Sequence, residues 1–157
     1  MNEAAVDLKQ ESGYRFAIGF GAGIAPLEAD EPAPLGTGAG PSPVQLLAAA
    51  VGNCLSASLV FALRKFKLNA EPVSARVEAV TGRNEKNRLR VQRLKVNLAL
   101  GARAADLQHL DKVLAQFEDF CTVTQSVRAG IEIDLEVRDA EGVLVSRSAD
   151  AAAGAGS

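Results

Sequence analysis

One stretch limits the folds open to this chain more than any other: Pro41 to Leu68, PSPVQLLAAAVGNCLSASLVFALRKFKL. It has a marked start. Ser42 can cap the first turn, Pro43 suits the first helical position, and Gln45 stands three residues after the cap. Arg64, Lys65 and Lys67 gather near its end, where cations complement the helix dipole. The reading is a helix of roughly six turns, apolar on nearly every face. Leu46 to Leu63 carries no charge and just reaches the lower length for a transmembrane helix, roughly 17–25 residues. Gly52, Asn53, Ser56 and Ser58 interrupt it, and its many alanines are weakly hydrophobic. That composition favours the buried helix of a soluble protein over a membrane span. Such a helix needs other layers around it. One sheet per chain covers a single face, so the pattern asks for a second subunit over the other.

The segments around the helix read mostly as strands. Residues 4–9 make a short, weak strand. From Tyr14 to Phe20, Tyr14, Phe16, Ile18 and Phe20 alternate with Arg15, Ala17 and Gly19, the period of a half-buried strand. Ile24 to Glu28 reads as the returning strand of an N-terminal meander. Residues 29–43 are rich in Pro and Gly and read as a loop with defined corners. That loop has neither a GxxxxGK[ST] nor a GxGxxG pattern, so it gives little support to phosphate binding.

Downstream, Val73 to Val80 and Leu89 to Leu100 form a hairpin, with a bulge expected near Gln92-Arg93 where the apolar phase changes. Ala104 to Phe120 switches to helical spacing: Leu107, Leu110, Leu114, Phe117 and Cys121 fall on one stripe. One or two further turns from Thr122 to Arg128 end before Gly130. Ile131, Ile133, Leu135 and Val137 then alternate with charged residues, the clearest strand pattern in the chain. Residues 1–139 read as a single α+β domain. Residues 140–157 read as a C-terminal tail, with a short strand at Val143 to Val145 and a low-complexity, disordered end.

Composition excludes several functions. Formal net charge is -2, and no basic block or aromatic-basic interleaving points to nucleic acid. With no Trp and one Tyr, stacking platforms for bases are poorly supplied. Two cysteines and one histidine, His109, fall short of a structural zinc site and are no disulfide framework. His109 lies off the apolar stripe and reads as exposed and catalytically idle. The first residues, MNEAAVDLKQ, have neither a basic n-region nor an apolar h-region, so a reducing cytoplasm is the expected compartment.

Cys54 and Cys121 are then the residues on which chemistry turns. Taken from the residues alone, Cys54 can be a small core side chain or a reactive thiol, and a reactive thiolate in mid-helix needs a nearby cation. Cys121 continues an apolar stripe, which favours packing. Two cysteines on core-facing surfaces of different helices can nevertheless meet, and a reversible disulfide is then geometrically open to them.

GPSPVQLLAAAVGNCLSASL followed by FCTVTQSVRAGI resembles the OsmC/Ohr superfamily, the osmotically inducible and organic hydroperoxide resistance proteins. Those proteins carry a P-E-[QE]-L start to the helix bearing their first cysteine and a C-P-x-[ST] element at a second helix. The loop LGTGAGPSP is similar to that of the OsmC-like branch. The resemblance runs from about Tyr14 to Val137. It implies an α+β, domain-swapped homodimer in which sheets wrap paired central helices. It also implies a thiol-dependent peroxidase without a bound cofactor, acting on small apolar organic hydroperoxides, with neither nucleic acid nor membrane as partner. Cys54 would attack the peroxide, Cys121 would resolve the product to a disulfide, and an external dithiol would reduce it. Arg15 is the candidate for the family arginine that stabilises the thiolate. In the family a glutamate ten residues before the first cysteine holds that arginine; here Val44 occupies the position and cannot orient a guanidinium. Gln45 beside it is polar but uncharged, and Thr122 stands where many members have proline. Val44 therefore favours an alternative, a non-peroxidase member that binds or modifies a small molecule.

Overall fold

The computed structural model describes residues 3–150. Its chain divides into two compact units, residues 1–47 and 48–157, with the boundary inside the long helix.

In the first unit, β1 (Asp7–Ser12), β2 (Arg15–Gly19) and β3 (Leu27–Ala29) form an antiparallel meander in the order β1-β2-β3. Lys9 pairs with Ala17 and Phe16 with Ala29. The expected N-terminal strand at 4–9 is displaced to Asp7–Ser12, because Gly13, at φ +52°, supplies the turn and fixes where pairing begins.

The loop after β3 is built on one carboxylate. Asp30, 3% exposed, accepts hydrogen bonds from Glu31 N at 2.8 Å, Thr37 N at 2.9 Å, Thr37 Oγ1 at 2.7 Å and Ala39 N at 3.2 Å. The loop wraps so closely that a Cβ on Gly36 would overlap the Glu31 carbonyl. It delivers the chain to a capping box: Gln45 N donates to Ser42 Oγ at 3.3 Å while Ser42 N donates to Gln45 Oε1 at 2.9 Å. The long helix α1 (Pro43–Lys65) starts where the sequence placed it.

In the second unit, β4 (Ser74–Arg83), β5 (Leu89–Ala99), β6 (Glu132–Arg138) and β7 (Leu144–Ala149) form a sheet in that order. β4–β5 and β6–β7 are antiparallel, and β5–β6 is parallel. The parallel register sets Leu94 against Ile133, Val96 against Leu135 and Leu98 against Val137, all at most 2% exposed. On the other face it sets Arg93 against Glu132 and Lys95 against Asp134. Slipping by one residue would turn the apolar row outward, so both faces specify the same register.

The inner apolar row belongs to the same core as α1. Val51, Leu55, Leu59 and Ala62 are fully buried, and truncating either leucine to Ala would cost about 2–5 kcal/mol. A Cβ on Gly52 would lie 2.7 Å from Val77 Cγ2 of β4, so any side chain there forces a shift. The β4–β5 hairpin carries the expected bulge: Val80 pairs with Arg93 and Thr81 with Val91, leaving Gln92 as the extra residue.

Two further expectations change. The single helix over Ala104 to Phe120 is broken into a 3-10 turn (Ala104–Asp106), α2 (Leu110–Leu114) and a second 3-10 turn (Phe117–Phe120), followed by α3 (Thr122–Val127). His109 breaks it with φ +62° just before α2, and Gln116 leaves helical geometry just after it. Leu107, Leu110, Phe117 and Cys121 stay buried, but the break turns Val113 fully into the core and leaves Leu114 only partly covered. The other change is at the C-terminus, where residues 144–149 of the expected tail form β7. Arg128 holds that end, pairing with Glu118 and Asp150 at 2.9 Å each, while Ser148 Oγ donates to Glu118 Oε1 at 2.7 Å. The low-complexity end beyond Asp150 lies outside the described residues.

The Thr37 hydroxyl, together with three backbone N–H groups, holds the Asp30 carboxyl at about 2, below its ordinary 3.8. A carboxylate so depressed adds stability that is complete above its ordinary pKa and is lost as pH falls through the folded value. Asp30→Asn is therefore expected to lower Tm at neutral pH. The gap from wild type should close between pH 3.8 and about 2. Melting curves across that range check it, and a gap that stays constant refutes it.

Candidate active site

α1 is asymmetric. Eight of its residues, from Ala48 to Leu63, are buried, while Ala49, Ala50, Asn53, Ala57 and Phe61 are exposed. Cys54 lies between these faces and is half-buried. Its polar neighbours prove unremarkable: Asn53 faces out, and Ser56 Oγ donates to the Gly52 carbonyl one turn back at 2.8 Å.

Cys121 is fully buried at a joint in the chain. It follows the 3-10 turn Phe117–Phe120 and precedes α3, with extended backbone at φ -86° and ψ 93°. Phe117, fully buried, anchors the turn before it. Its thiol donates to Oγ1 of the buried Thr124 at 2.8 Å. Burial pushes the Cys121 thiol above its ordinary 9.0, hydrogen bonding and charge at Cys54 push the same way, and Thr124 partly offsets them.

The two sulfurs are therefore neighbours, unbonded, one reachable and one sealed. Chemically this is a dithiol in which only Cys54 is open to an incoming molecule. Cys121, held protonated at neutral pH, can supply both a proton and a second sulfur.

Further contacts join the same two segments. Phe61 meets Phe120 edge to face, with centroids 5.3 Å apart and planes at 74°. Lys65 Nζ lies 5.4 Å from the Phe120 centroid and donates to Gln116 Oε1 at 3.4 Å.

Arg15 belongs to the first unit, where it opens β2. Its Nε donates to Glu11 Oε2 at 3.1 Å, with both side chains more than a third exposed. A carboxylate does hold this guanidinium, but it comes from β1 across the turn, not from the Val44 position. His109 is exposed. Among the described residues, no group of three His, Cys, Asp or Glu side chains could hold a metal ion.

Sequence reasoning named both cysteines and Arg15 but passed over Thr124, Phe61, Phe120 and Glu11. Thr124 had a signal, since it stands at the [ST] of the second motif. Phe61 had a weaker one, seven residues after Cys54 and so on nearly the same helix face. Phe120 and Glu11 had none, because a broken helix and a tight turn place them.

The family model described as OsmC-like protein matches residues 36–136. No curated protein matches the chain. Among solved structures, an OsmC-like protein of unknown function from Vibrio cholerae superposes with a TM-score of 0.73 at 18% identity, covering 87% of this chain and 99% of that one. The organic hydroperoxide resistance protein OsmC from Legionella pneumophila gives 0.69 at 17% identity, with 87% and 98% covered. The organic hydroperoxide resistance protein OhrB of Bacillus subtilis gives 0.65 at 14%, with 85% and 98% covered. These likenesses carry the fold.

The difference in access between the sulfurs yields a direct expectation. N-ethylmaleimide applied to the folded, reduced protein should label Cys54 and leave Cys121 at least about tenfold slower. Denaturation should equalise them. Peptide mass spectrometry over time reads this, and equal native rates contradict the described burial.

Proposed function

The chain belongs to the OsmC-like protein family, and from that premise we propose that it is a thiol-dependent peroxidase that reduces organic hydroperoxides. The observation that carries this reading is the pairing of a reachable Cys54 with a sealed, protonated Cys121. The Cys54 thiolate attacks the terminal oxygen of the hydroperoxide. The O–O bond breaks, an alcohol leaves after taking up a proton, and Cys54 becomes a sulfenic acid. Cys121 then attacks that sulfur, an S–S bond replaces the S–O bond, and water departs. An external dithiol returns both cysteines to thiols, so no bound cofactor is needed. Arg15 is the cation this mechanism assigns to the thiolate, with Glu11 holding it in place of the glutamate that Val44 replaces. The apolar character of the segments bearing the cysteines favours hydroperoxides with an organic body.

The working unit in this reading is a domain-swapped homodimer in the cytoplasm. Exposed apolar surface in each unit supports the dimer. Phe61 is 57% exposed on α1, and Leu8, Tyr14 and Ile24 are at least half exposed in the first unit. A groove lined by Asn53, Ala57, Val60 and Phe61 runs along the open side of α1. Light scattering at micromolar concentration should give twice the chain mass of 16.4 kDa. A monomer at that concentration removes the swapped assembly.

The Val44 substitution keeps a second reading in view, a family member that binds or modifies a small molecule without peroxidase turnover. One experiment separates the two. With one equivalent of cumene hydroperoxide, the reduced protein should form a Cys54–Cys121 disulfide. Cys54→Ser should abolish the reaction, and Cys121→Ser should stop at a sulfenic acid trapped by dimedone. Arg15→Ala should slow the first step by roughly 10²-fold, as expected when one charge-stabilising group is lost. Unchanged thiols in the wild type after treatment leave the second reading standing.

A further inference from the structure

The contacts around the cysteines run along one side of α1. Cys54 faces Cys121, Phe61 two turns on faces Phe120, and Lys65 one turn later covers the Phe120 ring and reaches Gln116. The aromatic pair stands outside the chain's own buried core. Phe61 and Phe120 remain 57% and 42% exposed, whereas Phe117, in the same turn as Phe120, is fully buried. The Cys121 joint, in turn, has little stiffness of its own. It links a four-residue turn to a six-residue helix, both too short to hold their shape without tertiary support. Where its sulfur sits against α1 depends on what fixes the flanks. On one flank, Thr124 binds the thiol, and Arg128 is tied to Glu118 and Asp150. On the other, the residue adjoining Cys121 is Phe120, which meets Phe61 of α1 edge to face and lies under the Lys65 ammonium.

We propose that Phe120, seated on Phe61 and Lys65, is a positioning residue for disulfide closure, fixing the Cys121 joint against α1 so that its sulfur meets Cys54. Its physiological use rests on the peroxidase reading. Closure as such is a property of the two thiols, and a disulfide demands narrow geometry: sulfurs about 2 Å apart and Cβ atoms about 4 Å apart. Phe120 needs to touch neither peroxide nor sulfur for this. It acts through the backbone of the residue after it.

The test uses the full-length protein in two ways. In a glutathione redox buffer, oxidised glutathione takes two electrons from the thiol pair, giving the Cys54–Cys121 disulfide and two reduced glutathiones. The equilibrium constant of that exchange reports how well the thiols are placed, without any peroxide. Phe120→Ala should lower it roughly tenfold or more, in line with the cost of a small misplacement of reacting groups. Phe120→Tyr should keep it, and Phe61→Leu, read the same way, should lower it as well. Because Phe120 is an exposed ring, Tm should move little, which separates positioning from general destabilisation. With one equivalent of cumene hydroperoxide, Phe120→Ala should consume oxidant at the wild-type rate while its sulfenic acid persists, and a second equivalent should carry that sulfenic acid on to sulfinic acid. A wild-type glutathione constant in both Phe120→Ala and Phe61→Leu overturns the proposal. If hydroperoxide leaves the wild-type thiols unchanged while glutathione still separates Phe120→Ala from Phe120→Tyr, the peroxidase reading falls and the positioning role stands.

Discussion

The close seating of α1 on the second unit's sheet sets the geometry on which the thiol pair depends. Gly52 meets Val77 with no room for a side chain, and Val51, Leu55 and Leu59 fill the space above the apolar rows of β5 and β6. A helix pinned at that depth cannot rotate without exposing leucines on one side and burying alanines on the other. Its rotation therefore decides that Cys54 lies at the edge of the core, half covered, rather than under it or outside it. The position of one sulfur thus depends on the missing side chain two residues before it.

The second sulfur is placed by a different kind of constraint. Cys121 belongs to no regular element, and its burial comes from neighbours that are separately anchored: Phe117 in the core, Thr124 at the thiol, Arg128 in its carboxylate clamp. The site therefore joins a rigid partner, on one face of a long helix, to one whose place is set by several weaker contacts.

Much of the architecture is legible in the residues. The helix start is readable because Ser42, Pro43 and Gln45 act locally, and the capping box forms between those residues. The bulge at Gln92 is readable because a one-residue phase change in an alternating strand has few other causes. The α1 pattern shows a helix of high apolarity but cannot show which side its own sheet covers, a matter of tertiary packing. The segment from Ala104 to Phe120 reads wrongly as one continuous helix because apolar spacing survives a break when each fragment is turned back toward the core. His109 carries no signal for its left-handed backbone, and Asp150, which holds β7 through Arg128, lies just before a low-complexity run. The partner of Arg15 is unreadable for a related reason: the family pattern directs attention to the Val44 position, while the carboxylate comes from the neighbouring strand.

The parallel pairing of β5 with β6 has a consequence for how the chain reaches this state. Antiparallel neighbours can zip from a short turn, but these two strands meet only after the whole crossover between them has been gathered in. Cys121 rides in that crossover, and Cys54 precedes the first of the two strands. The thiol pair, like the β5–β6 pairing, joins segments far apart in the chain, so its loop-closure entropy must be met before any contact rewards it. The meeting of the two thiols is in this sense a product of the whole topology rather than of any local segment.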